Sequence, residues 1–217
     1  MREATRTDWR FLLGIGPEDV VAIEGTPGDP VASALAPWVG TLRRLEHGAV
    51  ADRASAPPAG SPLADWVFLG TDDTHDTVEG RICAAFQQLK PGGHLAVALE
   101  NPRGLHWLAD WRPAADERRV RAGILRLTLR RFERAVRRAG ATEVCSFALL
   151  PHHEAPRAIV PLQPPAPAAA QMHALDQVWQ RATPIAALTR RLLGVLVQCG
   201  LMRQLYPHYL VVARKPC

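Results

Sequence analysis

Six short segments, most of them rich in valine, leucine and alanine, are bounded by glycine, proline or charged residues. Segments of this length and composition predict buried strands, because a buried helix of similar hydrophobicity is longer. We therefore expect strands over residues 19–23, 41–46, 65–70, 94–99, 144–150 and 209–214.

Apolar residues at helical spacing occupy most of the intervals between these strands. The clearest amphipathic helix is predicted over 117–139, and Gly140 is expected to end it. Its apolar face consists of Leu125, Leu129, Phe132 and Val136, while its arginines lie elsewhere. The other predicted helices cover residues 3–13, 30–38, 75–90, 168–182 and 184–199. Strands that alternate with helices favour an α/β fold with a mostly parallel sheet.

The chain is expected to form a single domain over residues 1–217. Residues 1–150 predict a Rossmann-like core, 151–208 a helical insertion, and 209–214 a last strand that completes the sheet. Residues 52–63 are too rich in proline, alanine and serine to form a regular element. The sheet is therefore expected to be shortened around strands two to four.

Composition adds little about function. Hydrophobic residues make up 47% of the chain, which is enough for a core, and the net charge of +5 mildly favours an acidic partner. Nucleic acid is an improbable ligand, since neither a zinc finger nor a basic–aromatic strand is present. The four cysteines are far apart, which is typical of reduced thiols. Without an apolar stretch of about 20 residues or a signal-peptide pattern, we expect a cytoplasmic protein and no membrane partner.

Two motifs resemble those of a known family. Leu89–Leu95 reads LKPGGHL, similar to the LKPGG-x-L turn that precedes the fifth strand of class I S-adenosylmethionine-dependent methyltransferases. Ala64–Val67 is similar to the F-D-x-V fourth strand of that family, with alanine in place of the aromatic residue. Residues 100–105 and 156–162 also resemble a bacterial subgroup encoded beside biosynthetic enzymes. The resemblance implies a Rossmann-like transferase with S-adenosylmethionine as cofactor.

The cofactor motif departs from the family pattern. Members carry an acid and a glycine-rich run after the first strand, whereas this chain has Ala22 in place of the acid. The resemblance implies that the cofactor-binding residues are Glu24, Gly25, Thr26, Gly28, Glu46 and Gly70, of which Glu24 and Thr26 replace glycines. Glu46 has two interpretations, a ribose-binding acid or a surface carboxylate beside two arginines.

Candidate chemistry lies in the loops that follow strands. Asp72 and His75 are candidates for a general base, although Asp72 also has the character of a helix cap. Glu100 and Asn101 follow a strand at the sheet edge where α/β folds bind ligands, so they are candidates for a substrate pocket. No metal site is expected, because residues 152–154, His-His-Glu, lack the geometry for three ligands.

Two functions remain open from the sequence. The first is an S-adenosylmethionine-dependent methyltransferase that acts on a small-molecule or biosynthetic substrate. The second is a catalytically inactive pseudoenzyme of the same fold that serves as a partner or scaffold subunit, since a fold alone does not establish an activity. Apolar surface exposed at the shortened edge of the sheet would favour a homo- or hetero-oligomer.

Overall fold

The computed structural model describes residues 13–24, 30–45, 63–69, 78–105, 125–150, 156, 158–179 and 187–217. The predicted helix over 3–13 and the irregular segment over 52–63 lie outside these residues, apart from the last residue of each.

Strands and helices alternate along the described residues. The strands are β1 (Val20–Glu24), β2 (Thr41–Leu45), β3 (Ala64–Leu69), β4 (Leu89–Glu100), β5 (Leu125–Arg126), β6 (Glu143–Leu150), β7 (Ala158–Pro161) and β8 (His208–Arg214). The helices are α1 (Pro30–Leu35), α2 (Val78–Gln88), α3 (Leu129–Arg138), α4 (Ala168–Trp179), α5 (Ala187–Gln198) and a 3-10 helix (Leu201–Gln204). Five of the six predicted strands begin and end within one residue of those observed.

In the part of the chain that the structure describes, eight strands form one sheet. Seven lie in the order β2-β1-β3-β4-β8-β6-β7, and β5 pairs with the end of β4. The pairs from β2 to β4 are parallel, whereas β8 runs antiparallel to both β4 and β6, and β7 antiparallel to β6. This confirms the predicted Rossmann-like α/β fold with a mostly parallel sheet, and β2 lies at the edge near which shortening was expected.

Helices pack on both faces of the sheet. On one face α2, α3, α4 and α5 bury apolar side chains in a common cluster, which includes Ile82, Phe132, Leu175 and Leu193. On the other face Ala32 and Leu35 of α1 pack against β1 and β3. No helix within the described ranges is long and apolar enough to cross a membrane.

The predicted helix over 117–139 is wrong at its N-terminal side. Residues 106–124 lie outside the described residues, and Leu125–Arg126 is a strand. It pairs with Leu99 and Glu100, and the Leu127 backbone N–H donates to the Glu100 carbonyl at 3.2 Å. Because these backbone groups bond to the sheet, the helix begins only at Leu129, after an extended Thr128.

The insertion predicted over 151–208 is not purely helical. Ala158–Pro161 is strand β7, which pairs antiparallel with the C-terminal half of β6. The prolines in and around this short segment favoured a connecting loop over a strand. Pairing with β6 satisfies backbone groups that β6 would otherwise leave at a sheet edge.

The Pro-Gly-Gly turn differs from its prediction as well. Helix α2 ends at Gln88, so residues 89–90, predicted as the end of the helix, and residues 91–93, predicted as a turn, all belong to an extended β4. Ala64 pairs with Leu89 but Trp66 pairs with His94, so β4 carries extra residues in a bulge. The Lys215 ammonium donates to the carbonyls of Phe86 and Leu89, both at 2.7 Å, and thereby satisfies the end of the helix.

We predict that Gly93→Ala destabilises the protein by about 1–3 kcal/mol, because a close-packed site resists added volume. A Cβ at Gly93 would lie 3.0–3.2 Å from the backbone oxygens of Lys90, Asp65 and Ala64. Urea unfolding followed by circular dichroism measures the effect. The matched control is Gly194→Ala in α5, where a Cβ meets nothing within 4 Å. It should instead stabilise the helix by about 0.5–1 kcal/mol, and a Gly93 variant that behaves likewise would contradict this account.

Asp65 links the amino-terminal ends of β1, β3 and β4. Its Oδ2 accepts from the Val20 backbone N–H and from Lys90 Nζ, both at 2.8 Å. Burial raises the pKa of Asp65, but the Lys90 and Val20 hydrogen bonds outweigh burial and hold that pKa below its ordinary value. The charged form is therefore stabilised by folding.

We expect Asp65→Asn to lower the free energy of unfolding at pH 7 by about 1 kcal/mol, since the Lys90 partner is largely exposed. A lowered carboxylate pKa gives stability that is present above the ordinary pKa and is lost as the pH falls through the folded-state pKa. Unfolding measured at pH 7, 5 and 3 should therefore show the variant and wild type converging at the acidic end. A difference that stays constant across this range would contradict the linkage.

Candidate cofactor site

The order of the strands places a ligand crevice at the end of β1. The chain passes from β1 to β2 on one side and then returns to β3 on the other side of β1. Open α/β sheets bind ligands at such a reversal, outside the carboxyl ends of the strands. Glu24 is the last residue of β1, and Leu69 is the last residue of β3.

Glu24 is held in a buried ion pair with Arg81. One oxygen of its carboxylate lies 2.7 Å from a guanidinium nitrogen of Arg81, which stands in the first turns of α2. The two side chains are only 4% and 5% exposed. An unpaired charge at this depth would cost several kcal/mol, so the ion pair offsets the cost of burying the Glu24 carboxylate.

This pair shows how the chain accommodates a glutamate where the family has glycine. The glutamate side chain turns towards α2 and is bound there, rather than projecting from the end of β1. Ala22, which replaces the family's acid, is fully buried in the core on the same face of the sheet. The two residues of β1 that differ from the family pattern, Ala22 and Glu24, thus both face the helix layer, where Arg81 balances the charge of Glu24.

Most of the other predicted cofactor and catalytic residues lie outside the described residues. These are Gly25, Thr26, Gly28, Glu46, Gly70, Asp72 and His75. They belong to the segments that directly follow β1, β2 and β3, and their roles remain predictions.

Glu100 is the last residue of β4, two strands away from β1, and Asn101 follows it directly. Both are buried, at 7% and 1% exposure. Glu100 occupies a register position between Arg126 of β5 and His208 of β8. An acidic and a basic residue type, Glu100 and His208, are therefore paired on neighbouring strands, and both are buried.

Asn101 binds the segment that leads into β8. Its amide nitrogen donates to the carbonyl of Gln204 at 2.7 Å, to that of Tyr206 at 3.0 Å and to the Tyr209 hydroxyl at 3.1 Å. Its side-chain oxygen accepts from the Arg103 backbone N–H at 3.1 Å. The side chain thus joins the end of β4 to the segment before β8 and fixes the position of the backbone at this edge of the sheet.

The tyrosines beside Asn101 are neutral hydrogen-bonding groups. Burial raises the pKa of Tyr206, and burial is also the main cause that raises the pKa of Tyr209, both far above the ordinary value. The Tyr209 hydroxyl donates to the Arg203 carbonyl at 3.0 Å, and the Tyr206 hydroxyl to Gln171 at 3.1 Å. Neither phenol is therefore ionised near neutral pH.

Arg81 is the residue of this site that the sequence pattern did not reveal. It lies on the same side of α2 as Val78, Ile82 and Ala85, at helical spacing from the apolar residues that predicted the helix. A charged residue within an apolar stripe indicates a buried partner, and the sequence contains this signal at Arg81. Its partner, at the end of β1, is 57 residues away in sequence.

Within the described ranges, no group of three histidine, cysteine, aspartate or glutamate side chains comes together to hold a metal ion. The His-His-Glu sequence at 152–154 lies outside those ranges.

The fold is similar to that of known methyltransferases, although the sequence is not. No protein-family model matches the chain, and a search of curated proteins finds no significant match. Among solved structures, a SAM-dependent methyltransferase from Archaeoglobus fulgidus is similar over 96% of this chain and 91% of its own, with a TM-score of 0.54 and 11% identity. A SAM-dependent methyltransferase from Thermotoga maritima, described as a possible histamine N-methyltransferase, is similar over 99% of this chain and 90% of its own, with a TM-score of 0.51 and 12% identity.

A third neighbour comes from a complex. A chain of the Haloferax volcanii assembly between the Trm112 methyltransferase activator and a methyltransferase covers 97% of this chain and 89% of its own, with a TM-score of 0.50 and 17% identity. At these identities the likeness concerns the fold alone. The protein has the fold of the class I S-adenosylmethionine-dependent methyltransferases.

Proposed function

We propose that this protein is a cytoplasmic S-adenosylmethionine-dependent methyltransferase that acts on a small-molecule or biosynthetic substrate. The observation that supports it is the buried Glu24–Arg81 pair at the strand reversal of a methyltransferase fold. The pair turns the glutamate side chain into the helix layer, so the end of β1 is not blocked by a residue larger than glycine. The orientation of Glu24 is therefore compatible with a cofactor bound beyond the end of β1.

The residues present fit this cofactor as follows. The backbone of Gly25, Thr26 and Gly28 would lie against its methionine portion, Glu46 would accept from the ribose hydroxyls, and Gly70 would border the methyl group. The cofactor supplies an electrophilic methyl group when bound. The protein's task is to place an acceptor atom in line with it, and orientation alone supplies much of such a rate.

The acceptor would then lie along the carboxyl ends of β3 and β4. Glu100 and Asn101 shape that edge, and both are held by the sheet. Asp72 or His75, after β3, would take the proton of the acceptor as methyl transfer proceeds. No metal is required for this chemistry.

Calorimetric titration with S-adenosylmethionine and S-adenosylhomocysteine tests the proposal, with ATP as a ligand control. We expect saturable binding of both sulfur ligands and about a tenfold weaker affinity in Glu46→Gln, since hydrogen bonds to charged groups are worth about 1.5–3 kcal/mol. Arg44→Gln, a neighbouring exposed residue, is the matched control and should bind like wild type. A folded sample that releases no heat at millimolar ligand would overturn the proposal.

The second candidate is a non-catalytic subunit of the same fold. It is favoured by Ala22, since the position of the family's acid is filled by a fully buried core residue. The Haloferax volcanii neighbour, which forms a complex with an activator, is an example of this fold in a heteromeric assembly. Absence of cofactor binding, together with a dimer or heteromer by light scattering, would support this function over the first.

A further inference from the structure

One surface of the molecule combines exposed aliphatic side chains with arginines. It is formed by the outer residues of α3, the 3-10 helix and α5, and we call it the arginine–leucine face. Leu192 and Val195 of α5 are each 55% exposed, and Leu201 of the 3-10 helix is 49% exposed. Leu192 and Val195 are three residues apart in the sequence, so they are neighbours on the outer side of α5.

The charges on this face have one sign. Of the ionisable residues in α3, the 3-10 helix and α5, the only acid is Glu133, which is buried and accepts hydrogen bonds from Ser146 and Arg203. The exposed arginines on these elements are Arg130, Arg131, Arg134, Arg137, Arg138, Arg190 and Arg191. Among the residues that the structure describes, Arg190 pairs with an acid, Asp176 of α4, and the other arginines of this set have no acidic partner.

The three elements lie on one side of the sheet. Arg203 in the 3-10 helix lies 2.7 Å from Glu133 of α3, and this ion pair joins the two elements directly. Leu193 and Val197 of α5 and Met202 of the 3-10 helix are buried in the same core cluster as Phe132 of α3. The exposed aliphatic residues and the arginines therefore belong to elements that cover the same side of the sheet.

The sequence predicted no membrane partner, but we propose that the arginine–leucine face docks on an anionic lipid bilayer as a surface contact. Guanidinium groups bind phosphate oxygens in pairs, and aliphatic side chains enter the boundary between headgroups and acyl chains. A second copy is disfavoured because like charges would oppose one another. A duplex nucleic acid has no apolar surface to receive Leu192 and Val195. The aromatic anchors that dominate protein interfaces are missing from the described residues of this face.

Sedimentation with vesicles tests the proposal on the intact protein. One set of vesicles consists of phosphatidylcholine alone. The other contains roughly 30–40% phosphatidylglycerol, which imitates an anionic leaflet. The protein should bind only the anionic vesicles, and the bound fraction should fall as salt is raised from about 0.05 to 0.5 M, because screening shortens the reach of the charges.

Variants at exposed positions separate the two contributions without endangering the fold. Arg134→Gln and Arg137→Gln should each weaken partitioning about fivefold, since one basic residue near an anionic surface contributes about that factor. Leu192→Gln with Val195→Gln should weaken it further at every salt concentration. The controls lie elsewhere on the molecule: Arg44→Gln on β2, and Trp38→Gln in the turn after α1, where the side chain is 55% exposed. Both should bind like wild type.

Three results would overturn the proposal. One is equal binding to neutral and anionic vesicles, or binding to neither. Another is binding that the control variants reduce as much as the variants on the face do. The third is tighter binding to a duplex oligonucleotide or to an acidic protein than to the anionic vesicles, with Leu192→Gln having no effect on the vesicles.

Discussion

Replacing Arg81 with methionine is expected to lower the free energy of unfolding by about 3–5 kcal/mol, among the largest effects of any single change in this chain. The substitution leaves the Glu24 carboxylate at 4% exposure without the guanidinium 2.7 Å away that balances its charge. A buried charge that has lost its partner is strongly destabilising. Urea unfolding at pH 7 measures the loss.

Two further variants identify the cause of that loss. Glu24→Leu combined with Arg81→Met removes both charges and should be less destabilising than Arg81→Met alone, because a well-packed apolar pair replaces a buried ion pair at little cost. The matched control is Arg190→Met, whose pair with Asp176 has the same 2.6–2.7 Å geometry but is 65% exposed on the arginine side. It should change stability by less than about 1 kcal/mol. Equal losses for Arg81 and Arg190 would contradict the role of burial.

The second large effect is expected at Asn101. Asn101→Ala should cost about 2–4 kcal/mol, because the buried carbonyl of Tyr206 and the part-buried carbonyl of Gln204 lose their side-chain donor and a cavity remains. Asn101→Asp keeps the shape but a carboxylate cannot donate to these carbonyls, so it should be at least as destabilising at pH 7. Protonation of the new carboxyl group at acidic pH should recover part of the loss.

The chain offers a direct readout for this residue. Asn101 is the only asparagine, so selective ¹⁵N-asparagine labelling gives one side-chain amide pair in the NMR spectrum. That amide should exchange slowly with solvent, since it is buried and donates to three acceptors. Fast exchange of the amide, or an alanine variant as stable as Gln198→Ala at an exposed position, would show that the contacts are not maintained in solution.

These two positions also show how the altered motif is compatible with a folded crevice. Glu24 ends β1 and Asn101 directly follows β4 at the carboxyl edge, and each is held by residues far away in sequence. The cofactor affinity of a sample in which either contact is broken should fall with its stability. Cofactor titrations are therefore best interpreted beside an unfolding curve for the same variant.

The strands were predictable because their signal is local. Val20–Glu24, Ala64–Leu69 and His208–Arg214 are compact apolar runs between turn residues, and burial on both faces leaves such runs no polar alternation. The helix face of Phe132 and Val136 was predictable for the same reason, since 3.6-residue spacing is visible without any partner. The LKPGG resemblance to methyltransferases agrees with the fold that the structure shows.

The failures share a different cause. Leu125–Arg126 continues a helical pattern in the sequence, yet it is a strand because the end of β4 offers it hydrogen bonds. Ala158–Pro161 lies between prolines, yet it is a strand because β6 presents an open edge. In both cases a backbone partner more than seven residues away outweighed the local preference.

The sequence by itself determined the α/β class, five strand positions and the carboxylate at Glu24, because periodicity and composition are local properties of the chain. Only the tertiary structure decided that α2 delivers Arg81 to Glu24 and that Asn101 joins β4 to the segment before β8. It also decided that the arginines of α3 and the exposed leucines of α5 and the 3-10 helix share one side of the sheet. The physical reason is that an ion pair, a buried amide or a surface depends on residues that only packing brings together.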